Sequence, residues 1–330
     1  MDTVLSADVG GTHTRLALYR WGDMRAPLFL RVYGSAQFPG LMDVVTRFLD
    51  EARSSVPQAR LVAAGFGVAG PADGATVKLT NLPWVVRRDE ISRSLRLDRV
   101  VFVNDFAAVC RAVPSLAPEH LHAIGAGAIE EGRPKVVLGA GTGLGIGFLF
   151  QNGPSYLVVP SEGGHTEFAP RDTRQARLME HLRARHGQVC NEHVLSGPGL
   201  VSLYGFLRDV EGIGEALPVQ LAMRKEDPAA VIAHMGTSRA DLLCSQTLDL
   251  FCEIYGAVAA NLALLVLARG GVYMAGGIAG HILSRLEAGG FRKAFELHPR
   301  YGELLRSIPT LLITHPQPGL LGAALAAEEP

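Results

Sequence analysis

The sequence is short of cysteine, of net charge and of long apolar runs, and each shortage removes a class of protein. Its 330 residues include 4 cysteines, and Cys110, Cys190, Cys244 and Cys252 lack metal-ligand spacing. That number is too small for a disulfide framework in a chain this long, so reduced thiols in a core, and a cytoplasmic protein, are expected. Charge is balanced, with 31 basic against 32 acidic side chains and a net charge of −1. A nucleic-acid binder normally carries a basic patch or excess, so no nucleic-acid partner is expected. The longest apolar run, 258–268, is interrupted by Asn261 and is shorter than the roughly 20 residues that span a bilayer. The stretch Met1–Asp8 has neither the basic region nor the apolar stretch of a signal peptide. No membrane partner is expected either.

What the chain has is apolar content and glycine. Hydrophobic residues make up 48%, enough to offset the entropy of ordering the chain, and the length suggests about two domains. The 38 glycines are clustered, without the every-third spacing of collagen or a low-complexity tract. Clustering of this kind brings backbone close to something, often phosphate.

Strands are expected at 4–9 and 15–19 around the turn Gly10-Gly11-Thr12-His13-Thr14, and further strands at 28–32, 61–68, 77–80 and 100–103. Leu41, Val44, Val45, Phe48, Leu49 and Ala52 fall on one helical stripe. The pattern restarts at Lys135, with strands at 136–138 and 146–150 around alternating glycines. Helices dominate afterwards, including a long one near 239–268. A buried strand at 272–275, a strand at 310–314 and a short helix from Gly319 close the chain. Two strand–turn–strand units about 130 residues apart indicate two similarly built α/β domains with mixed sheets.

Five constellations carry chemistry. In Asp8-Val9-Gly10-Gly11-Thr12, backbone N–H groups can hold phosphate while the carboxylate sits near Mg²⁺; an ordinary hairpin turn with a capping Asp is the other reading. Gly139-Ala140-Gly141-Thr142-Gly143 repeats that chemistry, or is a close strand crossing. No register through it supplies a dinucleotide fingerprint, and no lysine follows a glycine as a Walker loop requires. Asp105, after Asn104 at a strand end, lies where α/β sheets place reactive groups, although it could simply cap the helix opening at Phe106-Ala107-Ala108. Glu162-Gly163-Gly164-His165, with Glu192 beyond, is a polar cluster able to bond several hydroxyls. A metal is the rival there, without a third ligand at suitable spacing. Met274-Ala275-Gly276-Gly277-Ile278 would let a flat ring lie on backbone.

Together these runs resemble those of the bacterial ATP-dependent glucokinases. Also matching are Leu195-Ser196-Gly197-Pro198-Gly199-Leu200 and Pro318-Gly319-Leu320-Leu321-Gly322, and the match runs in order from about residue 3 to about residue 325. The resemblance implies the two-domain actin-like (ribonuclease H-like) ATPase fold, with a mixed five-stranded sheet in each domain and a cleft between them. The domains would be a small one, 1–115 plus 315–330, and a large one, 116–314. It implies ATP-dependent phosphorylation of glucose at the 6-hydroxyl, with Mg²⁺ as cofactor and a homodimer as the assembly.

By the same resemblance Asp105 would be the general base, and Asn104, Glu162, His165 and Glu192 would hold the other sugar hydroxyls. Ala7, Asp8, Val9, Gly10, Gly11 and Thr12 would form one phosphate loop, with Asp8 near Mg²⁺ through water. Gly141, Thr142 and Gly143 would form the other, and Gly276 and Gly277 would flank adenosine. His13 departs from the family's usual asparagine and bears on the detail of the first loop. The zinc-binding cysteine cluster of the ROK sugar kinases and repressors is lacking. No helix-turn-helix is expected ahead of the first motif. A kinase for another hexose such as mannose or fructose, a non-catalytic sugar and ATP sensor, and a filament-forming ATPase are the alternatives; the last would have no use for the hydroxyl-binding set.

Overall fold

The computed structural model describes residues 1–70, 72, 74–79 and 82–329. The chain divides into two compact units, Met1–Leu116 with His315–Pro330, and Ala117–Thr314.

The first unit contains β1 (Asp2–Val9), β2 (His13–Arg20), β3 (Phe29–Gly34), β4 (Arg60–Val68), β5 (Thr76–Lys78), β6 (Val85–Arg87) and β7 (Val100–Asn104). Five of them form a sheet in the order β3-β2-β1-β4-β7, while β5 and β6 make a separate hairpin. The expected strand 77–80 ends on Thr80, outside the described residues. β1 is central and buried on both faces, which explains a near-continuous apolar run where an exposed strand would alternate. Its two buried hydroxyl residues are both satisfied: Ser6 donates to the Leu320 carbonyl at 2.6 Å and Thr3 to that of Arg60 at 3.2 Å.

The helix Leu41–Ser55 forms where the apolar stripe has a 3.6-residue period, and it buries Leu41, Val44, Val45, Phe48 and Ala52. Phe48 is fully buried and meets Phe29 with ring centroids 5.4 Å apart. Phe48→Ala should therefore cost about 3–5 kcal/mol, the range for emptying an aromatic site in a packed core. Urea unfolding followed by circular dichroism checks this, and a loss below about 1 kcal/mol would contradict it.

The returning helix Pro318–Glu328 lies against β1, β4 and the helix Asp105–Ala112. Glycine makes that approach possible. A Cβ on Gly65 would overlap the Ala323 carbonyl oxygen, and one on Gly322 would overlap that of Ala108. This packing settles where the strand ends carrying Asp8 and Asp105 lie.

The second unit contains β8 (Leu121–Ala123), β9 (Lys135–Ala140), β10 (Leu144–Asn152), β11 (Ser155–Ser161), β12 (Val272–Ala275) and β13 (Thr310–Ile313). Its sheet has six strands, in the order β11-β10-β9-β12-β13-β8, where five were expected. The extra edge strand is β8, three residues pairing antiparallel with β13 from Leu311↔Ala123 to Ile313↔Leu121. So short a strand has no alternation to read. What makes it a strand is the row of backbone groups on β13, which it covers.

The long helix Leu242–Val266 runs through this unit, and Tyr255 on it donates to the Leu138 carbonyl of β9 at 3.1 Å. It corrects the view that apolar stretches here are too short to span a bilayer. Among the described residues this one helix is long and apolar enough to do so, and 67% of its most apolar window is buried. Most of its apolar surface is covered by the helices Gly290–Glu296, Pro228–Thr237 and Gly197–Asp209, while Leu242 and Leu265 at its two ends are exposed.

Candidate active site

In the first unit, β1, β4 and β7 run parallel. Register places Val9 opposite Val68 and Val68 opposite Asn104, so their C-terminal ends lie together. Open α/β sheets bind ligands at such ends. Asp8 sits at the end of β1, and its partner across β2 is Arg15, whose Nη1 lies 3.4 Å from Asp8 Oδ2. Burial pushes the Asp8 carboxyl pKa upward; the Arg15 guanidinium opposes this, and the Asp105 carboxylate pushes upward again. Asp8 and Asp105 therefore feel each other's charge.

Asn104 and Asp105 divide two jobs that the sequence left open. Asn104 Oδ1 accepts from the N–H groups of Phe106 and Ala107, each at 3.0 Å, and so caps the helix Asp105–Ala112. Its Nδ2 donates to the Gly70 carbonyl at 3.2 Å, leaving its second amide proton for a ligand. Asp105 is the exposed first residue of that helix and accepts from the Phe106 N–H at 2.7 Å.

The loop from β1 to β2 is tight. Gly10 N–H donates to the His13 carbonyl at 3.0 Å, while Thr12 and His13 are exposed. A residue that sequence reasoning missed anchors it. Buried Ser35 donates through its backbone N–H to the Thr12 carbonyl at 2.9 Å and through Oγ to that of Gly10 at 2.8 Å. Arg15 was also missed; its only signal was its place in register with Asp8. Gly319 comes close as well, since a Cβ there would lie 3.7 Å from Asp8 Cγ.

In the second unit, β9 and β12 are parallel, with Ala275 opposite Gly139, so both glycine motifs leave the sheet at the same end. The Gly141 N–H bonds the Gly143 carbonyl at 2.9 Å, and the Gly197 N–H bonds the Gly141 carbonyl at 2.8 Å. Gly276 has φ of 86°, and a Cβ there would overlap the Ala140 carbonyl oxygen. Only glycine fits such a place. Beside these turns a cavity of about 540 Å³ is walled by Leu200, Val201, Ala230, Ala233 and Ile278, with Thr142, Asp227 and His281 as polar members. Gly141 and Gly277 line it too. An apolar slot with a few polar groups suits a flat heterocycle on a ribose. The helix Pro228–Thr237, which supplies part of the wall, carried no recognisable motif.

Glu162 and His165 flank the short turn Gly163–His165, exposed, with 3.9 Å between Glu162 Oε2 and His165 Nε2. Glu192 Oε2 accepts the Leu144 N–H at 2.8 Å. A Cβ on Gly143 would lie 2.6 Å from that same Oε2, and one on Gly164 would overlap the Leu144 carbonyl oxygen. Glu192 and the Gly163–His165 turn that follows Glu162 thus both lie against Leu144, next to the Gly141–Gly143 turn. Leu144, acting through its backbone, was not foreseen.

Among the described residues no group of three or more His, Cys, Asp or Glu side chains could hold a metal by itself. The four cysteines are free and buried. Asp8 fits a different arrangement, because Mg²⁺ keeps several waters and is commonly held by one or two carboxylates plus substrate phosphates. A half-buried carboxylate with raised proton affinity and a second carboxylate nearby offers hard oxygen donors to such a cation.

The glucokinase family model matches residues 5–330. A glucokinase of Nostoc punctiforme is 39% identical over 99% of this chain and 99% of its own. Among solved structures, glucokinase from an Antarctic psychrotroph aligns with a TM-score of 0.86 and 32% identity over 99% of both chains. A ROK family glucokinase from Streptomyces griseus, in complex with glucose and AMPPNP, is more distant. It has a TM-score of 0.65 and 19% identity over 98% of this chain and 99% of that one.

Proposed function

The chain belongs to the glucokinase family, and from that membership we propose that Asp105 is the base that takes the proton of the glucose 6-hydroxyl. The protein is an ATP-dependent glucokinase of the actin-like ATPase fold, outside the ROK branch. The observation that carries the residue assignment is the joint ending of β1 and β7, with Asp8 and Asp105 at the same edge of one sheet.

In this reading the 6-hydroxyl oxygen forms a bond to the γ-phosphorus as the bond from that phosphorus to the β–γ bridging oxygen breaks. ADP leaves, and the hydroxyl proton passes to an Asp105 carboxylate oxygen. Phosphoryl transfer asks a protein mainly for positioning and charge stabilisation, not covalent chemistry. The loops Ala7 to Thr12 and Gly141 to Gly143 hold the phosphates, the Gly10 and Gly141 N–H groups closing the turns and the other loop N–H groups serving as donors. Gly276 and Gly277 flank the adenosine, for which the cavity of about 540 Å³ has room. Asn104, Glu162, His165 and Glu192 hold the remaining sugar hydroxyls. Asp8 would hold Mg²⁺ through water. When bound, that ion neutralises charge on the phosphate oxygens. Arg15 beside Asp8 keeps the carboxylate oriented.

The domains proposed are 1–115 with 315–330, and 116–314, in a cytoplasmic homodimer. Leu265 and Leu297 are exposed apolar side chains that such an assembly could cover. Sedimentation equilibrium returning the 35.2 kDa mass of one chain would overturn the dimer. Function is tested by ADP release coupled to a dehydrogenase, across glucose, mannose, fructose and N-acetylglucosamine. Glucose is expected to give the highest kcat/KM. No turnover with any sugar would sink the reading, and turnover confined to another sugar would reassign it.

A further inference from the structure

Glu192 sits on the three-residue turn Asn191–His193, which is tied down in several places, among them the Ser196 Oγ donating to the Glu192 carbonyl at 2.8 Å. Asn191 bonds Thr166 twice, N–H to carbonyl at 3.0 Å and Nδ2 to Oγ1 at 2.9 Å. Glu192 Oε2 accepts the Leu144 N–H at the edge of the second glycine loop. A further attachment is His193. The Cys190 N–H donates to His193 Nδ1 at 3.2 Å, and the Cys190 thiol lies 3.5 Å from the same nitrogen. A ring nitrogen accepting a backbone N–H must offer its lone pair, so Nδ1 carries no proton. The ring also stacks on His186 of the helix Thr173–His186, with centroids 4.0 Å apart and 20° between planes. Two cationic rings at that distance would repel, so the stack needs a neutral partner.

We propose that His193, stacked on His186, is a positioning residue for glucose phosphorylation, its uncharged ring holding the turn so that Glu192 presents its other carboxylate oxygen to a sugar hydroxyl. This rests on the reading of Glu192 as a glucose ligand. The groups facing His193 are His186, Glu192, His165 and the Cys190 thiol. Burial is the strongest influence and lowers the His193 pKa from the ordinary value of 6.5; His186 and His165 act the same way, and Glu192 opposes them. Above that ordinary value the ring is neutral whether the turn is closed or open, and its contribution is complete. As pH falls further the open turn takes up a proton first, so the contribution declines and is lost as pH passes the lowered value. Glucose affinity, not ATP affinity, should carry this acid limb.

The test is glucose and ATP saturation kinetics from about pH 5 to 8. His193→Asn, whose Oδ1 can accept the Cys190 N–H without titrating, is expected to keep glucose KM within about twofold at neutral pH and to lose the acid rise. His193→Ala is expected to raise glucose KM roughly tenfold with kcat much less affected, as loss of positioning would do. Identical acid limbs for His193→Asn and the unsubstituted enzyme would overturn the inference. So would a His193→Ala glucose KM within twofold of normal, even with a lowered Tm. Glu192→Gln separates the two layers. If it leaves glucose KM unchanged, the ligand assignment falls and takes the inference with it. If it raises glucose KM while His193→Ala does not, the inference alone fails.

Discussion

Replacing Asp105 by asparagine is expected to lower kcat for glucose by about 10²–10⁴-fold, the range that a positioned general base contributes. Glucose KM should change far less. The substitution keeps the shape of the side chain and an oxygen to accept the Phe106 N–H, while removing the acceptor for a proton. The helix it opens should survive, because the cap belongs to Asn104 and not to Asp105. A second readout comes from Asp8. Burial is the main cause of its raised pKa, but the Asp105 charge adds to it. Neutralising Asp105 should therefore move Asp8 titration to lower pH, and the acid limb of ATP saturation with it. Single-turnover measurement of phosphoryl transfer, free of product release, is the direct check. Near-normal turnover in Asp105→Asn would remove it from the role of base.

Gly276→Val should be nearly as damaging, through backbone geometry instead of chemistry. The residue has φ of 86°, and any Cβ would run into the Ala140 carbonyl at the end of β9. A branched residue held there pays conformational strain of about 1–3 kcal/mol and overpacking of similar size. The strain falls between β9 and β12, the two strands that launch the Gly141–Gly143 and Gly276–Gly277 motifs. ATP KM is expected to rise at least tenfold, with Tm falling by roughly 5–15 °C for a unit of this size. Substitution at Gly141 is the control, since nothing lies within 4 Å of a Cβ placed there. Gly141→Ala should keep its Tm even if phosphate binding weakens. An unchanged Tm and ATP KM in Gly276→Val would show that the crossing is not rigid.

The elements legible in the sequence are those whose signal is local. β1, the helix Leu41–Ser55 and β12 follow from an apolar run or a stripe, and each forms close to its expected bounds. β11 was missed although Asn152-Gly153 precedes it, a turn signal with φ of 60° at the glycine. Its residues alternate weakly because it is an edge strand with apolar Leu157 exposed. β8 had no signal of its own. The long helix forms at Leu242–Val266, inside the expected 239–268, and its start is set by the Asp241 side chain accepting the Cys244 N–H at 2.8 Å.

The site divides the same way. The glycine motifs were visible because a tight turn at a strand end demands glycine whatever surrounds it. Ser35, Arg15, Leu144 and His193 were invisible, because each acts through a partner supplied by pairing or packing. By itself, then, the sequence determined the kind of turn at each loop, the apolar faces of the main elements and, through the order of its motifs, the family. Only the tertiary structure decided that Asn104 caps while Asp105 is exposed, that Glu192 leans on Leu144, and that two histidines stack beside it. Turns and stripes are properties of adjacent residues. The competition for one N–H, or the charge that one carboxylate feels from another, exists only once distant segments are packed together.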